Sequence, residues 1–260
     1  MKYKILIACA AISTFPAVAC ASSLSHGLNS LGIYGEAVGT PNSFNSFNTQ
    51  GLAKSFQTMK PASGGNTSGG IGVVLSGVSK DNFFMHLGFN YGFNPIIGDN
   101  TSNSGHSLAF NARLGKGFLF GRHLMFGPYI GYQYAQFKLG IGNHDSFANA
   151  TYNNNAIGGG LFIAMEPVQD LTVTAHAGYL AGIASNEKVN LDSFSLEPGG
   201  TPSANVFQLG GKLSYRFLSD VSGFVGVDYD RYMASNYVGP INIKTRVNTL
   251  RGMVGIAYNF

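Results

Sequence analysis

Apolar and polar residues alternate one for one along much of this chain, the period of extended strands with one apolar face. The cleanest stretch runs from Phe83 to Phe93. Phe83, Met85, Leu87, Phe89, Tyr91 and Phe93 fall on one side; Phe84, His86, Gly88, Asn90 and Gly92 fall on the other. A helix would scatter these aromatics around its axis, so the segment is a strand. The rhythm returns near 31–39, 69–79, 82–94, 106–118, 122–139, 152–166, 170–185, 203–218, 221–235 and 245–260. This predicts about ten strands, with eight or twelve as alternatives. Short and long breaks alternate between them. Lys80-Asp81-Asn82, Leu119-Phe120-Gly121, Pro167-Val168-Gln169 and Leu218-Ser219-Asp220 mark tight turns. The breaks near 40–68, 95–105, 140–151, 186–202 and 236–244 are longer and rich in Asn, Ser, Gly and Thr. Such punctuation describes an antiparallel up-and-down meander, with turns at one end and loops at the other.

Composition decides which face meets water. Charged residues make up 11% of the 260 residues, less than half the roughly 25% of an ordinary soluble domain. Too few charges remain to clothe a water-soluble surface, yet the apolar content is an ordinary 45%. With 20 Phe and 13 Tyr, the chain is too aromatic for a disordered one. A helical membrane protein needs about 20 consecutive apolar residues per span, and beyond residue 21 the longest strictly apolar run is Leu161 to Met165. The face opposite the apolar ladder carries mostly Gly, Asn, Ser and Thr, and aromatics gather toward strand ends. These features predict an all-β fold: a closed antiparallel transmembrane β-barrel with its apolar side to lipid and small polar residues in the lumen. Closure is required because an open sheet edge in hydrocarbon leaves backbone groups without partners.

Residues 1–21 read as a cleaved signal peptide, leaving 22–260 as a single barrel domain. Lys2 and Lys4 precede an apolar core that begins at Ile5, and Ala19-Cys20-Ala21 forms a small-residue cleavage site. A lipoprotein reading, with Cys20 as the lipidated residue, competes; its box usually carries Leu where Ala17 stands. Cleavage would remove both cysteines and two lysines, leaving 14 basic against 12 acidic residues. The basic balance is then partly the signal's own, and with no basic stripe interleaved with aromatics it argues for no nucleic-acid partner.

The final strand sharpens the assignment. Leu250, Val254, Ile256, Tyr258 and Phe260 alternate with Arg251, Met253, Gly255, Ala257 and Asn259. This ending resembles the Gram-negative outer-membrane β-barrel superfamily, whose members commonly finish on an aromatic residue. The opening strand, Gly32-Ile33-Tyr34-Gly35-Glu36-Ala37-Val38-Gly39, looks like the first strand of small opacity/OmpA-like barrels. The resemblance implies an outer-membrane location, lipid and lipopolysaccharide as surroundings, and recognition of Tyr258 and Phe260 by the barrel-assembly machinery during insertion. Ten strands depart from the eight usual in those small barrels, so their particular functions do not transfer.

Taking the non-apolar face as lumen places Glu36, Lys212, Asp228, Asp230 and Arg251 inside as a charge network, with Tyr34, Phe224 and Tyr232 near them. His86, Asn111, Arg113, Tyr129, Gln133, Glu166 and His176 are further inward positions. Charges kept off lipid need partners in a narrow lumen, so a salt-bridged plug outweighs a catalytic or gating centre. No catalytic residue is assigned. Omptin-type proteases share the strand number and place paired Asp residues and an Asp/His pair at the rim. Asp228-Tyr229-Asp230 offers the first, but no Asp-x-His occurs here, and the adjacent His144 and Asp145 diverge on an extended backbone. Lipid A deacylases use His and Ser on a lipid-facing surface, whereas His86, His106 and His176 read as inward or rim residues. The six histidines show no short ligand spacing, so neither metal nor cofactor is expected.

The expected function is therefore a small outer-membrane barrel with a largely filled lumen, acting through surface loops or in envelope integrity. The Asn-Ser-Phe repeat at 42–44 and 45–47 marks one loop as a candidate contact surface for a ligand, with a flexible solvated loop that has no partner as the equal alternative. The alternative is a narrow porin-like channel for small solutes or ions. It draws on lumen glycines such as Gly88, Gly92, Gly115, Gly117, Gly131, Gly158 and Gly160, which would leave volume unfilled. A surface hydrolase is the third reading.

Overall fold

Each alternating segment pairs with its neighbours along nearly its whole length, and the last strand pairs back onto the first. The computed structural model describes residues 23–39, 44–49, 67–93, 106–143, 146–191, 194–196, 204–238 and 241–260. The signal-like segment 1–21 lies outside them. A short helix α1 (Ser23–Leu28) opens the described chain. The strands that follow are β1 (Ser30–Gly39), β2 (Phe44–Thr49), β3 (Thr67–Val78), β4 (Phe83–Phe93), β5 (His106–Lys116), β6 (Phe118–Phe120) and β7 (Leu124–Asn143). Beyond them run β8 (Ser146–Val168), β9 (Leu171–Leu191), β10 (Phe194–Leu196), β11 (Asn205–Arg216), β12 (Val221–Val238) and β13 (Ile241–Asn259).

Ten of these close the ring in the order β1-β3-β4-β5-β7-β8-β9-β11-β12-β13, every pairing antiparallel. The seam is β1 against β13, with Ser30 opposite Asn259 and Gly39 opposite Leu250. Short β2 extends β13, β6 pairs β7 and β10 pairs β9. Among the described residues no helix is long and apolar enough to cross a membrane. The molecule is a closed, ten-stranded up-and-down barrel.

The faces fall as the alternation requires. On β13, Leu250, Val254, Ile256 and Tyr258 are exposed outward, while Arg251 and Asn259 are buried. Phe207, Leu209, Leu213 and Tyr215 are outward on β11, and Gln208 and Ser214 inward. Ile33, Ile71, Phe89, Ile130, Leu161 and Ile183 carry the apolar belt around the wall. A contiguous belt of this extent does not occur on soluble monomers, whose apolar patches stay within a few hundred Å².

The tight turns sit where Asn, Gly or Asp supplies a left-handed residue. Asn82, Gly121 and Asp170 have φ of 61°, 68° and 67°, a region that Asn, Asp and Gly enter most readily. Two turns lie slightly downstream of expectation, at 121–123 and 169–170, because β6 and the end of β8 continue pairing into them. Asp170 is pinned twice: its N–H donates to Glu166 Oε1 (3.2 Å), and the Arg216 guanidinium grips its carboxylate.

The opposite end differs more from expectation. The breaks predicted near 140–151 and 236–244 are largely paired strand: β7 and β8 run together to Asn143 and Ser146, and β12 and β13 to Val238 and Ile241. Part of 186–202 belongs to β9 and β10, and residues 44–49 of the first long break form β2. β8 alone has 23 residues, where a membrane-crossing strand needs about 9–11. Beyond lipid neither face of the ladder has to be apolar. Residues 146–151 therefore continue a strand that the period-two signal does not show.

Helix α1 was not expected at all. It tucks beneath the barrel at the end that carries both chain ends of the ring and the tight turns. Leu24 and Leu28 are buried there against Val78, Met125, Tyr129, Phe162 and Ala164, with Phe84 stacked on Phe162 at 4.4 Å. Asn29 Oδ1 accepts from the Val78 N–H (2.6 Å), tying the helix exit to β3.

The barrel lumen as the candidate functional site

Inward side chains build three levels along the lumen. The lowest is the apolar layer capped by α1. The highest, toward the long hairpins, joins an apolar cluster to an ion pair. Ala135, Ala156, Leu180, Ala204, Val206 and Tyr232 pack together. Beside them Arg251 pairs with Asp230, both side chains under 10% exposed. Strand register sets Arg251 directly opposite Asp228, yet the guanidinium reaches two residues along β12 to Asp230. Gln133, from the far wall, explains the choice: its Nε2 donates to Asp230 Oδ2 (3.2 Å) and to the Tyr232 hydroxyl (2.9 Å). Asp230 thus gathers donors from β7 and β13, spanning the lumen.

The other predicted network members go elsewhere. Glu36 accepts from Asn90 Nδ2 through both oxygens, at 3.2 and 3.4 Å. Asp228 lies 3.9 Å from His176 Nε2. The Lys212 ammonium stands over the Phe224 ring, 5.4 Å from its centroid. Of the five charges, the structure joins Arg251 and Asp230 directly and distributes Glu36, Asp228 and Lys212 among neutral or aromatic neighbours.

Between the two layers lies a chamber of about 80 Å³. Its polar lining comprises Ser76, His86, Asn111, Arg113, Thr174, His176, Lys212 and Asp228, with Leu28 of α1 forming part of its floor. Ser76 Oγ and His86 Nδ1 are in hydrogen-bond contact at 3.1 Å. A water needs about 10–15 Å³ of such space, so the chamber has room for several waters.

The lumen glycines do not leave the gaps that their composition suggests. A Cβ on Gly160 or Gly178 would strike the Tyr129 ring or hydroxyl, one on Gly72 would strike Tyr34, and one on Gly88 would strike the Asn111 amide. Each glycine is the floor on which a large neighbour lies down, so small and large residues interlock across adjacent strands. At Gly88 and Gly160, two of the glycines on which the channel alternative draws, neighbouring side chains occupy the space.

Tyr258 and Phe260 face outward on the last turn of the wall, 56% and 41% exposed. The Phe260 N–H donates to the Asn29 carbonyl (3.1 Å), fastening the chain's final residue to the exit of α1. Among the described residues no group of three His, Cys, Asp or Glu is placed to hold a metal. Sequence reasoning found the inward residues but missed α1. Its only signal is Leu24 and Leu28 four apart, too little to predict a helix of six residues.

No protein-family model matches the sequence, and no curated protein is similar to it. Solved structures do match in shape. The outer membrane protease OmpT from Escherichia coli aligns with a TM-score of 0.52 at 10% identity, covering 89% of this chain and 95% of that one. The translocator domain of the autotransporter NalP from Neisseria meningitidis aligns at 0.42 with 14% identity, covering 90% and 89%. OprG from Pseudomonas aeruginosa aligns at 0.35 with 12% identity, covering 91% and 98%. The likeness to OmpT, over nearly the whole of both chains, agrees with the closed ring, the outward apolar belt and the polar lumen: this chain has the outer-membrane β-barrel fold.

Proposed function

We propose that this protein is an outer-membrane barrel with a side-chain-filled lumen that acts through its long outer hairpins and loops or by reinforcing the envelope. The supporting observation is the double closure of the lumen, by the α1 layer below and by the Arg251–Asp230–Gln133–Tyr232 layer above. A conducting pore needs a continuous polar path, and both layers interrupt it. Among the described residues, the one His/Asp pair in the lumen, His176 with Asp228, lies between the two layers, away from a macromolecular substrate at the surface. The reading therefore assigns no catalysis.

The refolded protein in a planar bilayer is expected to show no steady current. A stable ohmic conductance in the unmutated chain would instead favour the narrow channel. The orientation follows from the fold, since an even strand number puts both ends of the ring on one side and long loops are extracellular in this class. Cysteines at Ser195 and Asp220 test it on intact cells: an impermeant thiol reagent should label the first only, and labelling at position 220 would reverse the topology.

Partners follow from the same reading: membrane lipid and lipopolysaccharide around the belt, and the assembly machinery at the terminal strand. Tyr258 and Phe260 point away from the lumen, so they are free to be read during insertion. Deleting Phe260 should lower the amount of heat-modifiable, folded protein in the outer membrane severalfold while leaving synthesis unchanged. Normal membrane abundance of the deletion variant would remove the aromatic terminus from the assembly signal.

A further inference from the structure

The chamber between the two layers has an unbalanced charge. Its lining carries two cations, Arg113 and Lys212, and one carboxylate, Asp228. Arg113 is 6% exposed, and its Nε is buried without a hydrogen-bond partner. The face of Tyr129 lies beside it, with the guanidinium carbon 5.8 Å from the ring centroid. Among the described residues neither Arg113 nor Lys212 forms an ion pair. Asp228 faces His176 instead. Glu36, Asp230 and Glu166 do not line the chamber; they are held by Asn90, by Arg251 with Gln133, and by the Asp170 N–H. The chamber's own lining is thus left with an excess cation.

A buried cation without a partner costs several kcal/mol, a cost that an anion within contact distance offsets. The chamber also offers neutral donors around the two cations: the hydroxyls of Ser76 and Thr174, and the Nδ2 amide of Asn111. Its volume of about 80 Å³ suits a small ion with one or two waters and excludes a sugar or nucleotide. We propose that the chamber is a binding site for a small monovalent inorganic anion of the chloride type, held between Arg113 and Lys212. The floor made by Leu28 makes α1 the door on the periplasmic side, so exchange requires α1 to undock.

The test uses the full mature chain refolded in detergent, with chloride as the probe and gluconate, too large for the chamber, as the matched salt. At constant ionic strength, replacing gluconate by chloride should raise the urea midpoint and slow unfolding several-fold. Bromide soaked into crystals should give an anomalous peak between Arg113 and Lys212. Lys212→Met and Arg113→Gln should each abolish the difference between the two salts. Superimposable chloride and gluconate curves for the unmutated protein, or a chloride effect that survives in both variants, would overturn the site. Should either variant fail to refold, the bromide peak in the unmutated protein decides alone, its absence counting against the proposal. The site depends on the closed-lumen reading only for slow exchange. Bilayer current tests closure, and the salt comparison tests the site.

Discussion

Replacing Arg251 by alanine should lower the barrel's stability by about 3–5 kcal/mol, the usual loss when one partner of a buried ion pair is removed. Asp230 would then keep its charge inside an apolar cluster with only Gln133 Nε2 donating to its carboxylate, since the Thr249 hydroxyl reaches its backbone carbonyl instead. Water in the chamber below should bring the effect toward the lower end of that range. Asp230→Asn should cost somewhat less, because the amide oxygen still accepts from Gln133 and from the Arg251 guanidinium, although that guanidinium loses its counter-charge. The double change Arg251→Met with Asp230→Leu should recover most of the loss, since apolar replacement of both partners is often neutral. Urea unfolding of the four proteins, followed by heat-dependent gel mobility, measures the cycle. Equal stability of Arg251→Ala and the unmutated protein would mean that the upper layer is held by packing alone.

Leu28→Asp should open the lower end without dissolving the ring. A carboxylate at this position would lie among Val78, Met125 and Phe162, a surrounding that offers it no partner. The six residues of α1 have no helical stability of their own. The cheaper response is therefore for α1 to leave the barrel, because the ten-stranded ladder does not depend on it. Docking rests largely on Leu24 and Leu28, each burial contributing about 1.5–3 kcal/mol. A cysteine at Ser76, whose side chain lines the chamber, reports the opening. Its reaction with a small thiol reagent should speed up about a hundredfold in Leu28→Asp, the factor expected from losing roughly 3 kcal/mol of docking. Bilayer current should stay low until Arg251→Ala is added, because the upper layer still closes the lumen. Equally fast labelling with and without Leu28→Asp would show that α1 is no seal.

Both predictions concern features that differ in how far the sequence announces them. Period-two alternation determines the strands of the lipid zone because lipid demands a continuous apolar face on every one of them. That demand is why Phe83 to Phe93 and Leu250 to Tyr258 could be sorted outward, and Arg113, Asp228, Asp230 and Arg251 inward, from residue order alone. Where the demand ends, so does legibility. Residues 146–151, 236–238 and 241–244 pair as strands beyond the belt, where lipid imposes no alternation.

Pairing within the lumen was equally beyond reach of the residue order. Register puts Asp228 opposite Arg251, and a reading along adjacent strands would join them. Gln133, 97 residues away from Asp230 along the chain, meets it across the barrel and draws the ion pair to it instead. The fate of the glycines is of the same kind: whether Gly160 is a gap or a floor depends on Tyr129, which reaches it from the neighbouring strand. The sequence by itself thus determined the closed, lipid-facing barrel and the side on which each strand residue lies, because those follow from the solvent that each face meets. Only the tertiary structure decided which inward charges pair, and that α1 packs against the lumen's lower layer. Those outcomes depend on side chains from distant strands competing for the same few ångströms of interior.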